Sequence, residues 1–218
     1  MSTPSQQPPD AAGVPEFRLT VATRTDIGAH REEIQDSFGV FPAADAPAAS
    51  GRLFMVADGM GGHRGGREAS TMAVEVVERA FAAGGEEGMD ALLQHAVKNA
   101  NEAILDASDM HAHLRGMGTT CSVLVLEQTR GWTAHVGDSR IYRITAGAIE
   151  LITDDHSRVA EMVRRGLLSE EEARWHPERS LLYRALGVTP DIEVDTAGPF
   201  PLTAGEQYLL CTDGLVNL

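Results

Sequence analysis

Four aspartates stand at the ends of apolar runs in this sequence. Asp36 opens the short aromatic run DSFGVF and Asp58 closes RLFMVAD; Asp138 lies between GWTAHV and SRIYRIT, and Asp213 follows the last apolar run, EQYLLCT. Three adjoin a glycine: Asp58-Gly59, Gly137-Asp138 and Asp213-Gly214. Taken singly, an aspartate beside glycine at a strand end is a turn, because its side chain bonds its own backbone and glycine accepts the unusual dihedrals. Four of them change the weighing, since carboxylates at several strand ends can converge at one edge of a sheet. Hard oxygen ligands of that kind hold Mg²⁺ or Mn²⁺ and leave waters on the ion. Gly59, with no side chain, would also let its backbone carbonyl approach such an ion.

Placing these groups requires a strand-rich frame. FRLTVAT alternates apolar and polar residues, and with DSFGVF and RLFMVAD it predicts three strands before any helix. Residues 67–82 repeat Ala69, Ala73, Val77 and Phe81 on one face, and a second run repeats Leu93, Ala96, Val97, Ala100 and Ile104, so two long amphipathic helices follow. TTCSVLVLE, GWTAHVGD, SRIYRIT and AIELIT, punctuated by Gly131, Gly137-Asp138 and Gly147, predict a meander of antiparallel strands. Shorter helices are expected over 157–165 and 169–175, and a last buried strand over 206–212. Runs of strands, then paired helices, then strands give an α+β class: an antiparallel β-sandwich with helices packed outside.

Length and charge narrow the function further. The 218 residues support one substantial core and do not require two domains. The first fourteen residues, rich in Pro, Ser and Gln, have little to bury, so a disordered tail is expected over 1–15 and a single domain over 16–218. A net charge of −14, with 32 acidic against 18 basic residues, repels a phosphate backbone and argues against nucleic acid as a partner. Cys121 and Cys211, each in an apolar stretch without Cys-x-x-Cys spacing, read as small buried hydrophobes in a reducing compartment. No apolar run reaches the length of a membrane span and no signal-peptide pattern opens the chain, so a cytoplasmic protein without a membrane partner, monomeric by default, is expected. A cysteine-based phosphatase is excluded, because neither cysteine is followed by a phosphate loop ending in arginine.

In order along the chain stand TDIGAHREEIQDSF (25–38), VADGMGGHRGGREAS (56–70), MGTTCSVLVLE (117–127), AHVGDSRIYRI (134–144), the stretch 151–187 and YLLCTDGL (208–215). Together these resemble the PP2C-type, or PPM, metal-dependent serine/threonine protein phosphatases in their bacterial form. The resemblance implies a central β-sandwich flanked by antiparallel helix pairs. It implies that Asp58 bridges two Mg²⁺ or Mn²⁺ ions, that the Gly59 carbonyl and Asp36 serve one of them, and that Asp213 serves the other. Asp138, with Asp213, would form the third-metal site of bacterial members. Arg31 would grip the substrate phosphate, a task suited to a planar guanidinium. The implied reaction is one-step hydrolysis of phosphoserine or phosphothreonine in proteins by metal-activated water, paired with a serine/threonine kinase. Residues 155–187 match the family's flap, a segment beside the active site that affects substrate choice.

Three departures qualify the match. Met60 stands where some relatives have a histidine, which leaves the general acid open; nearby His63 reads as structural. Gln35 stands where many have Glu. The family's final helix and its strand with a metal-binding Asp-Asn have no counterpart before Leu218, so a fragment of a longer protein is expected. The missing ligand motivates a rival expectation: a weak pseudophosphatase that binds phosphoproteins as a signalling module. His156, His176 and Arg179 form no metal spacing and are left out of the chemistry.

Overall fold

A computed structural model describes residues 18–28, 33–43, 51–61 and 65–216. The expected tail over 1–15, Arg31 and His63 lie outside the described residues.

The larger sheet contains β1 (Asp36–Phe41), β2 (Arg52–Met60), β4 (Cys121–Glu127), β5 (Arg130–Val136) and β8 (Asp195–Pro201) in that order, all antiparallel, with the two-residue β3 (Gly118–Thr119) paired to the end of β2. The smaller sheet runs β7 (Ala148–Leu151), β6 (Arg140–Thr145), β9 (Gln207–Cys211). The sheets meet where β2 approaches β9 and β4 approaches β6.

Helices α1 (Gly65–Ala83) and α2 (Met89–Met110) pack against each other and cover the outer face of the larger sheet. The core between them is aliphatic: Ala69, Ala73 and Val77 from α1, Leu93, Val97 and Ile104 from α2, and Leu53, Met55, Val123 and Val125 from the strands, each at most 1% exposed. Burying groups of this size is the dominant favourable term in folding, roughly 1.5–3 kcal/mol for each large side chain. Past β7 come two short helices, α3 (Arg158–Arg164), capped by Ser157, and α4 (Glu170–Trp175), opened by a Ser169–Glu172 capping box. A last helix, α5 (Asp213–Val216), follows β9 directly.

Three sequence expectations are corrected. Residues 18–23, the described part of FRLTVAT, pair with no strand among the described residues and are largely exposed; alternation marks a face that could be buried, but a strand also needs a partner for its backbone. The expected meander is broken at Gly137-Asp138: β5 belongs to the larger sheet and β6 to the smaller, so this turn is a crossing between sheets and not a hairpin. Finally, β8 was not anticipated. Its sequence, DTAGPFP, holds two prolines and a glycine, residues confined to edges and bulges, and β8 is indeed an edge strand with a register shift opposite Gly131 and Thr133. Among the described residues no helix is long and apolar enough to cross a membrane.

Candidate metal and active site

Along β2, Leu53, Met55 and Ala57 are buried on the helix side, so the period of two turns Asp58 toward the smaller sheet. Register places Asp36 of β1 directly opposite Asp58. Side chains so paired lie about 5 Å apart, and two like charges in that relation destabilise a sheet. Thr212, between β9 and α5, donates its hydroxyl to Asp36 Oδ2 at 2.9 Å, which brings the chain just before Asp213 onto the same edge. The crossing from β5 to β6 delivers Asp138. Four elements, two from each sheet region, thus converge on one end of the sandwich.

Electrostatics reports the same convergence. Burial first, then the carboxylates of Asp36, Asp213 and Asp138, push the Asp58 pKa up to about 8. Burial, followed by Asp213 and Asp155, pushes Asp138 up to about 7. Arg140, whose charge acts on Asp138 in the opposite sense, is engaged with Asp155 through Nε at 3.0 Å and Nη2 at 2.6 Å. Among the described residues no three acidic, histidine or cysteine side chains already stand at clasping distance, in keeping with their mutual repulsion. Four carboxylates gathered at one end of the sandwich are a donor set that fits hard divalent cations such as Mg²⁺ and Mn²⁺.

The backbone around Asp58 is held from both sides. Thr120 donates its amide to the Asp58 carbonyl at 2.9 Å and accepts from the Asp58 amide through Oγ1 at 2.8 Å. Thr119 Oγ1 adds a second bond to the same carbonyl. Thr120 Oγ1 also meets Ser139 Oγ at 2.7 Å, and Ser122 Oγ lies 2.9 Å from the Ser139 carbonyl. A chain of hydroxyls therefore links the backbones that carry Asp58 and Asp138. Gly59 is required by packing: a Cβ there would stand 2.0 Å from the Gly66 carbonyl at the start of α1. Its lack of a side chain thus has a cause independent of any ion. Gln35 contributes its carbonyl, which accepts from the Gly59 amide at 3.2 Å and from Ser70 Oγ at 2.6 Å.

So Asp36, Asp58, Gly59, Asp138 and Asp213 are brought together, whereas Arg31 lies outside the described residues. Sequence reasoning missed Thr119, Thr120 and Ser139. Their signal was present, as hydroxyls clustered in otherwise apolar strand runs, but their partners are 19 to 62 residues away in sequence.

The profile of the family described as Protein phosphatase 2C matches residues 31–218. The chain belongs to that family. As such it is a protein serine/threonine phosphatase, and its antiparallel sandwich with outer helices is the family's fold. The phosphatase is 39% identical over 199 residues to the Serine/threonine phosphatase stp of Listeria monocytogenes, covering 89% of this chain and 77% of that protein. It superposes on the serine/threonine phosphatase of S. agalactiae with a TM-score of 0.80 at 34% identity, covering 89% of this chain and 79% of the other. The catalytic domain of the phosphatase PstP in complex with two manganese ions is similar at a TM-score of 0.73 and 33% identity, over 89% and 77% of the two chains. As a protein serine/threonine phosphatase it acts on phosphorylated proteins.

Proposed function

We propose that this phosphatase removes phosphate from phosphoserine and phosphothreonine in proteins by attack of water at a site holding two Mg²⁺ or Mn²⁺ ions, with a third at Asp138. The observation that carries the reading is the register pairing of Asp36 with Asp58, with Asp138 and Asp213 acting on the same carboxylate. Like charges placed opposite on a sheet cost stability, and such a cost is retained where a cation makes use of it.

In this reading Asp58 would be a ligand of both ions, Asp36 and the Gly59 carbonyl would hold one, and Asp213 would hold the other. When bound, the ions lower the pKa of a coordinated water and neutralise charge on the phosphoryl oxygens. The protein's part is positional. Thr119 and Thr120 fix the Asp58 backbone, Thr212 orients Asp36, and Ser139 ties the Asp138 turn to Thr120. Arg31 grips the phosphate by its planar fork. The 155–187 flap, which presents Leu167, Trp175 and Tyr183 to solvent, offers apolar contact to the protein substrate. Free, buried Cys121 and Cys211 suit a reducing cytoplasm, where a monomer would oppose a serine/threonine kinase.

The test is hydrolysis of p-nitrophenyl phosphate and of a phosphothreonine peptide during a Mn²⁺ titration, with a chelator control and the Asp58→Asn variant. Turnover should require the ion and fall roughly a hundredfold or more in the variant, beyond what loss of a mere supporting partner costs. Robust activity in the variant would refute the bridging role, and metal-independent turnover would refute the mechanism.

A further inference from the structure

His156 stands at the entrance to the flap and makes contacts that the reaction as described does not use. It is 2% exposed. Its backbone amide donates to the Gly137 carbonyl at 2.7 Å, and its ring Nδ1 accepts from the Gly137 amide at 3.0 Å. One residue therefore takes both polar groups of the glycine that precedes Asp138. Gly137 needs that hold: its φ is +112°, and a Cβ there would stand 2.6 Å from Thr120, so the turn has no side chain of its own with which to anchor itself.

Chemistry fixes the ring's form. An amide N–H can only donate, so Nδ1 must carry a lone pair and the proton sits on Nε2. From there it is donated to Asp195 Oδ2 in β8 at 3.0 Å. Arg184 Nη1, 3.2 Å from Nε2, cannot donate to a nitrogen that bears hydrogen; it bonds Asp195 Oδ1 instead, at 2.6 Å. On its other side, the His156 carbonyl accepts from the Tyr183 amide at 2.9 Å, and Ser157 bridges to Leu182. The exit of the flap is fixed independently, by paired bonds between Leu186 and Thr119 and by Asn101 on the Gly187 amide. One end of the flap is thus fastened to the turn that carries Asp138, and the other to Thr119, which bonds the Asp58 carbonyl.

We propose that His156 is a positioning residue, which transmits the seating of the flap to the Gly137–Asp138 turn and so sets the affinity of the ion held by Asp138. The inference rests on the reading of Asp138 as a metal ligand given above.

Two substitutions separate the ring's two bonds. In His156→Asn the side-chain oxygen can occupy the place of Nδ1 and still accept from Gly137, while the link to Asp195 is lost. In His156→Gln the amide nitrogen reaches the place of Nε2 and keeps Asp195, while Gly137 loses its acceptor. Mn²⁺ binding is measured calorimetrically on the full chain for the wild type, both variants and Asp138→Ala, with thermal melts to establish folding. Asp138→Ala should remove the weakest binding phase. His156→Gln should weaken that phase about tenfold or more, the usual cost of losing a residue that orients a ligand, and His156→Asn should stay within about threefold of wild type. Equal behaviour of the Asn and Gln variants, or wild-type affinity in the Gln variant, overturns the proposal alone. A titration unchanged by Asp138→Ala overturns it together with the metal reading of Asp138.

Discussion

His135 is 2% exposed, stacked 4.9 Å from His156, with Nδ1 2.9 Å from Ser122 Oγ and Nε2 donating to the Asp154 carbonyl. Burial, then the neighbouring His156, lowers its pKa from the usual 6.5 to about 4. The unfolded chain thus binds a proton that the fold refuses. The contribution of the neutral ring is complete above the unfolded pKa and is lost as pH falls toward about 4. Between pH 7 and pH 4.5 the wild type should lose on the order of 2 kcal/mol relative to His135→Gln, which does not titrate. Urea unfolding at the two pH values measures this; a constant gap would show that the fold does not hold His135 neutral. Residues of this kind were invisible in the sequence. The aspartates declared themselves by standing at the ends of apolar runs, whereas His135, His156, Thr120 and Ser139 acquire meaning only through partners distant along the chain.

The contact between β2 and α1 shows how an element can be legible while its placement is not. The period of α1 was plain from Ala69, Ala73, Val77 and Phe81, and the buried alternation of β2 was equally plain. That α1 begins with its backbone against Gly59 was hidden, because glycine announces itself in sequence only as a turn. The same limit explains β8, whose prolines masked an edge strand, and residues 18–23, whose alternation promised one. At Gly59 the added methyl of alanine would meet the Gly66 carbonyl at 2.0 Å, and the Gln35 carbonyl at 2.7 Å. These are backbone atoms, so neither side can swing away. Gly59→Ala should therefore cost about 3 kcal/mol or more, the upper range for overpacking, and also displace Asp58 from Asp36. Gly147→Ala is the control: like Gly59 it lies outside the positive-φ region, but nothing lies within 4 Å of a Cβ added there. Denaturant midpoints that fell equally for both would refute the close-packing argument.

On the scale of the molecule, a net charge of −14 and a buried group of carboxylates both oppose folding in the absence of cations. Asp58 faces three carboxylate neighbours and is a liability to the metal-free fold, one that the metal site proposed above would explain. Replacing it with asparagine keeps the shape and removes the charge. Metal-free Asp58→Asn should then be more stable than the wild type, by about 1–3 kcal/mol. Since 1 kcal/mol moves the midpoint of a chain this long by about 2–4 °C, melting temperature reads the difference. Mn²⁺ should reverse the order. At a hundred times its dissociation constant a bound ion adds about 2.7 kcal/mol to the wild type, and the variant, lacking the bridge, should gain much less. Crossing of the two melting curves as Mn²⁺ is added would tie the instability of the carboxylate cluster to its function. If the variant melted lower without metal, the repulsion inferred from register and burial would be outweighed by some other role of Asp58 in the fold; if Mn²⁺ raised both proteins equally, Asp58 would not be the residue on which the ions depend.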